Sequence, residues 1–174
     1  MKKTIVIIVT IIMAGFSANV MAQATKNTTA GAKIVAPISI TETSSLNFGT
    51  MAVLASTAGT CVLSTQGVRT ATGGVNLSAQ TPIAANAAYN VSGAISTTYA
   101  ITLPSSITVT DGASHNMTID NLLARTTSAA ANGLTGTLSG TGTDSFTIGG
   151  TLNVAAAQVA AVYSGTFNVT VAYN

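Results

Sequence analysis

Charge is what this chain has least of: Lys, Arg, Asp and Glu make up 6% of its 174 residues, against the roughly one quarter usual in globular proteins. So few cations cannot build the basic stripe that phosphate backbones require, which argues against nucleic-acid binding. Two of them, Lys2 and Lys3, stand at the amino end, and the rest, Lys26, Lys33, Arg69 and Arg125, are balanced by Glu42, Asp111, Asp120 and Asp144. One cysteine, Cys61, rules out an internal disulfide, and tryptophan is absent. A single histidine leaves general acid–base catalysis very few candidates. Low charge and only three prolines also separate the chain from disordered sequences, which are rich in both and poor in β-branched residues. Solubility must then rest on Thr, Ser, Asn and Gln.

What is present begins with a leader. Lys2 and Lys3 precede an apolar run from Ile5 to Phe16, and Val20-Met21-Ala22 offers small or apolar residues where a signal peptidase reads. The pattern is that of a secretory signal peptide, residues 1–22, and implies export to the periplasm, cell surface or medium. No later stretch reaches the ~18 uninterrupted apolar residues of a membrane span, so none is expected downstream of the leader. A lipoprotein would need Cys after the cleavage site, where Gln23 stands. Residues 23–33 carry only small and polar side chains and read as a flexible extension.

From residue 34 to 174 the sequence reads as one β domain. Phe167, Val169, Val171 and Tyr173 alternate with Thr166, Asn168, Thr170 and Ala172, the signature of a half-buried strand. Ile34, Ala36, Ile38 and Ile40 alternate likewise, predicting a first strand over about 33–42, with Pro37 placing it at an edge or bulge. Leu46, Phe48 and Gly49 follow as a short continuation into the core, and further strands are predicted around 59–64, 67–77, 88–93, 98–103, 107–111, 134–138 and 146–154, with Ser64-Thr65-Gln66-Gly67 as a hairpin turn. Met117, Ile119, Asn121 and Leu123 are read as one face of another. The Ala-rich runs 126–132 and 155–161 are too short for an independent helix and read as single turns or loops. The economical fold is all-β, an Ig-like antiparallel sandwich of about nine or ten short strands.

Residues able to carry chemistry are few. Cys61 alternates with Leu63 and reads as a small buried hydrophobe rather than a nucleophile or intermolecular disulfide. His115 follows the turn at Asp111-Gly112 and reads as an exposed turn residue, since a catalytic His needs a nucleophile and an orienting carboxylate in reach. Asp111, Asp120 and Asp144 lack the spacing of a calcium loop. Arg69, Arg125 and Glu42 read as surface solubilisers or exposed pairs. Gly73-Gly74 and Gly149-Gly150 are not followed by the helix and cation of a phosphate loop and read as bulges or bends. Tyr89, Tyr99, Tyr163 and Tyr173 could in principle stack on a sugar, but without Trp a carbohydrate platform has no further support. No hydrolase, metalloprotease or P-loop motif occurs, so no catalytic, cofactor-binding or metal site is assigned and an enzyme is not expected.

Several blocks together resemble the bacterial family known as domain of unknown function 4402. They are Ile34-Val35-Ala36-Pro37-Ile38-Ser39-Ile40 with Leu46-Asn47-Phe48-Gly49, Arg69 to Val75, Tyr99 to Pro104, and Ile148 to Val154 leading to Gln158, Tyr163, Gly165 and the closing Val169 to Asn174. The resemblance implies an exported surface protein similar to pilin-like and spore coat U-like subunits, with no cofactor. It also implies self-assembly, or capture by a periplasmic chaperone and usher, through the terminal strands, an incomplete sandwich being finished by a neighbour's strand. Residues 23–35 would be that donor, although Ala24, Thr28, Ala30 and Ala32 bury little apolar area. The alternative is an exported monomeric module that binds a glycan or other small ligand.

Overall fold

A computed structural model describes residues 23–174; the leader assigned to residues 1–22 lies outside the described residues. Two units are distinguished, residues 1–33 and Ile34–Asn174. The described part of the first, residues 23–33, is exposed and contains no strand.

The second unit is entirely β, with twelve strands: β1 (Ser39–Ser44), β2 (Met51–Val53), β3 (Gly59–Leu63), β4 (Arg69–Gly73), β5 (Val75–Leu77), β6 (Ala87–Ser92), β7 (Thr98–Thr102), β8 (Ser106–Thr110), β9 (Asn116–Thr126), β10 (Thr135–Thr137), β11 (Thr143–Val154) and β12 (Thr170–Tyr173). All pairings are antiparallel. β11 is the hub. Its first half pairs with β6 and its second half with β3 along one edge, while β9 takes the other. β1 extends the sheet beyond β6, β4 beyond β3, and β8 beyond β9. A three-stranded sheet, β10-β7-β12, and the small pair β2-β5 complete a sandwich-like arrangement.

Between the sheets lie two clusters of apolar side chains. One gathers Cys61, Leu63, Ile107, Val109, Ile119, Leu152 and Val154. The other gathers Tyr89, Val91, Tyr99, Ile101, Leu138, Phe146 and Ile148, with Tyr89 stacked on Phe146 at 5.1 Å between ring centroids. Leu46, Leu122 and Phe167 pack against both clusters and join them. Outward positions on the same strands are Thr, Ser and Asn, so hydroxyls and amides take the place of charge at the surface.

The strand count exceeds nine or ten because one expected strand, 67–77, is two, and because β2 (Met51–Val53), which pairs with β5, lies outside the expected strands. Gly73 (φ 63°) adopts a left-handed backbone, and a side chain at Gly74 would collide with the Thr57 carbonyl, so the chain breaks between β4 and β5. The expected first strand also starts late, at Ser39 rather than near 33. Ser39 pairs with Ser92, where β6 ends, and Gly93 then turns away to donate to the Gly142 carbonyl, leaving residues before Ser39 no partner strand. Pro37, which has no N–H, could not extend the ladder. Ile34 is accordingly 96% exposed.

A third departure lies in β9. Asn121, at φ 48°, begins a bulge in which Asn121 and Leu122 together oppose Gly150. Met117 and Ile119 face inward before it and Leu122 and Ala124 after it, so Leu123 is half exposed, contrary to the simple alternation. Gly150, with no side chain, makes room for Leu122. The hairpin turn at Ser64–Gly67 forms as expected, Gly67 at φ 83° donating to the Ser64 carbonyl. Both Ala-rich runs are turns and loops without a helix.

Candidate functional site

The residues with chemical potential are scattered. Asp111 directly follows β8, accepts hydrogen bonds from the backbone N–H groups of Ala113 and His115 and pairs with His115 Nδ1 at 2.6 Å. The His115 hydrogen bond, joined by those backbone donors, holds the Asp111 carboxyl below the usual range against a smaller desolvation effect. The orienting carboxylate that sequence could not show is therefore present. A nucleophile is not: among the described residues no Ser, Thr or Cys is hydrogen-bonded to the His115 ring. This loop is a closed local network.

Asp120 and Asp144 lie on β9 and β11, away from that loop in the chain, and among the described residues no group of three His, Cys, Asp or Glu is placed to hold a metal. Asp144 is instead an internal acceptor. It takes hydrogen bonds from Tyr99 Oη (2.9 Å), Ser128 Oγ (2.6 Å) and the N–H groups of Ser128 and Ser145. Burial, reinforced by Asp144, pushes the Tyr99 hydroxyl well above its ordinary range. Cys61 is fully buried as expected, and burial raises its thiol pKa, which makes it a poor nucleophile.

Arg69 corrects its reading as a surface solubiliser. Its guanidinium donates to the carbonyls of Phe48 (2.8 Å), Thr50 (3.0 Å) and Ser78 (2.6 Å), tying the segments around β2 and β5 to β4. Phe48 leads into Gly49, whose φ of 73° and closeness to Arg69 Nη1 exclude a side chain. Three acceptors spread around one planar guanidinium suit Arg and not Lys. Sequence reasoning missed this because backbone carbonyls carry no sequence label.

The glycine pairs are structural too: a side chain at Gly149 would strike the Leu63 carbonyl, and β11 runs on without a helix. Tyr89 and Tyr99 belong to the core and offer no stacking platform. Tyr163 is anchored to Gln158 and the Val159 carbonyl. A shallow, open hollow of about 800 Å³ beside Asp144 is lined mostly by Ser, Thr and Asn residues, among them Thr41, Asn90, Ser92, Thr127, Thr137 and Ser139, together with Val91 and Leu138.

The remaining feature is the pair of terminal strands. β1 is the last strand at one end of the large sheet, and β12 is the last strand of the three-stranded sheet. Ile38 and Ile40, before and within β1, and Phe167, Val169, Val171 and Tyr173, leading into β12, all pack against the second cluster yet stay half-buried. Two edges with free backbone groups thus flank a partly covered apolar seam. Such edges are templates for added strands.

No curated protein matches this sequence. The model of one family, described as Domain of unknown function (DUF4402), matches residues 38–173, from the residue before β1 to the last residue of β12. That span is most of the sandwich-like domain, and the chain belongs to the DUF4402 family.

Proposed function

We propose that this chain is an exported, non-catalytic structural or adhesive component of the cell surface, a fimbria-like subunit joined to its neighbours by strand addition at its terminal edges. The observation that carries the reading is the half-buried seam of Ile38, Ile40, Phe167, Val169, Val171 and Tyr173 between two edge strands. Monomeric proteins normally cover, shorten or charge such edges; here Glu42 and an irregularity before Ser44 interrupt β1 and β12 is four residues long, yet the apolar seam beside them stays partly open. The added strand in this reading is residues 23–35 of another copy, with a periplasmic chaperone and usher holding the same edges before assembly. Its small residues suit a seam already half filled, and Ile34 and Val35, both exposed, supply its larger side chains. The leader implied by residues 1–22 and the scarcity of catalytic groups point the same way.

The test is assembly of the chain after leader removal, followed by electron microscopy and by electrophoresis without heating. Filaments or ladders are expected from residues 23–174, and deletion of residues 23–33 should leave monomers. Monomers alone from the intact chain, with or without its chaperone and usher, would overturn the reading. A second reading, a glycan-binding module, is favoured by the hydroxyl-lined hollow, whose Asp144 carboxylate is already occupied by internal donors. Binding on a glycan array that is lost in Asn90→Ala would favour it over assembly.

A further inference from the structure

Tyr173 joins both ends of the domain. Its ring packs against the second apolar cluster, while its hydroxyl accepts a hydrogen bond from the Ala94 N–H (2.6 Å) and donates one to the Ala36 carbonyl (2.7 Å). Gly93 makes this approach feasible, because a side chain there would collide with the hydroxyl and the ring. Gly93 is itself held by its N–H to the Gly142 carbonyl at 2.9 Å. Ala36 lies just outside the sheet, before Pro37 and before the first ladder residue, Ser39. Among the described residues, the bond from Tyr173 is the one hydrogen bond made by residues 34–37. Among the described residues, the hydrogen bonding of residues 34–37 therefore hangs on a single hydroxyl.

We propose that Tyr173 is a latch: bonded at once to Ala94 and Ala36, it fixes residues 34–37 against the sheets and ties the carboxyl-terminal strand to the segment before the first. Opening the latch frees residues 34–37 and leaves the sheets intact, since the ring still packs and the β12–β7 ladder does not use the hydroxyl. A hydroxyl-to-carbonyl bond of ordinary net strength corresponds to roughly a two- to twelvefold bias toward the closed arrangement. This inference goes beyond the subunit reading and does not need copies to assemble.

The test uses monomers of residues 23–174 in a Cys61→Ala background, with nitroxide labels at Ile34→Cys and Thr98→Cys, both at exposed positions. Pulsed electron resonance should give a narrow distance distribution for the parent and a markedly broader one for Tyr173→Phe, with nearly unchanged melting by circular dichroism. Gly93→Ala should broaden it too by displacing the hydroxyl. An equally narrow distribution in Tyr173→Phe, or a broad one in the parent, would overturn the latch. Hydrogen exchange in the unsubstituted chain gives an independent check: the Ala94 amide should be protected at least about twofold over an unbonded turn amide. Free exchange there would also defeat the proposal. Failure to form filaments would bear on the subunit reading and leave these outcomes untouched.

Discussion

β11 and the segment ending in β12 carry the same pattern and meet opposite fates. Phe146, Ile148, Leu152 and Val154 are at most 4% exposed, whereas Phe167, Val169, Val171 and Tyr173 stay half-buried. β11 has strands on both edges and a sheet above it, and β12 is paired on one edge only. Alternation tells which side of a strand is apolar. How far that side is covered depends on neighbours, which the strand's own residues do not name.

The sharpest way to test this contrast is to truncate equivalent rings in the two segments. Phe146→Ala should cost about 3–5 kcal/mol in urea unfolding, as cavities in close-packed cores do. Phe167→Ala should cost less, about 1–2 kcal/mol, because part of its surface is already in water. Equal losses would mean that the terminal seam is as closed as the centre.

Next in size is Arg69. Removing its guanidinium strands three carbonyls at once, and Arg69→Ala should destabilise the domain by about 2–3 kcal/mol. Arg69→Lys should recover only part of this, since an ammonium is a point donor and not a fork. Full rescue by Lys would show that charge alone matters there. Cys61→Ser comes third: a hydroxyl placed in a fully buried apolar site should cost about 1–3 kcal/mol in the same denaturation assay, with no change in oligomeric state on reduction.

The smallest expected effect is at the Asp111–His115 loop. A depressed carboxyl pKa gives stability that is present above the ordinary Asp value of 3.8 and is lost as pH falls through the lower folded value. The stability profile should therefore dip slightly below pH 3.8, and Asp111→Asn should remove the dip. A dip of the same size in Asp111→Asn would assign it to other carboxylates.

How much of this was legible depended on what each residue announces. Cys61 with Leu63, the turn at Ser64–Gly67, and the inward run from Phe146 to Val154 could be read directly, because period-two alternation and a positive-φ glycine are local signals. The first strand could not be placed, because its start is set by where β6 ends at Ser92, far away in sequence. Leu123 was assigned to the wrong face because one extra residue at Asn121 reverses every later side chain. Arg69, Asp144 and Tyr173 act through backbone carbonyls, hydroxyls and N–H groups, which any residue can supply, and pattern alone does not find such partners. The absence of an evident catalytic motif was plain in the composition. The candidate edges were legible as alternation at both ends, and that they lie at sheet margins emerged only with the topology.

The most direct test of the open seam is residue-resolved hydrogen exchange along residues 166–173, first in monomers and then in whatever assembly residues 23–174 form. In monomers, amides bonded to β7 should be protected and the intervening ones, on the free edge, should exchange quickly. In the assembly the fast set should become protected as well. Uniform protection along β12 in the monomer would contradict the account.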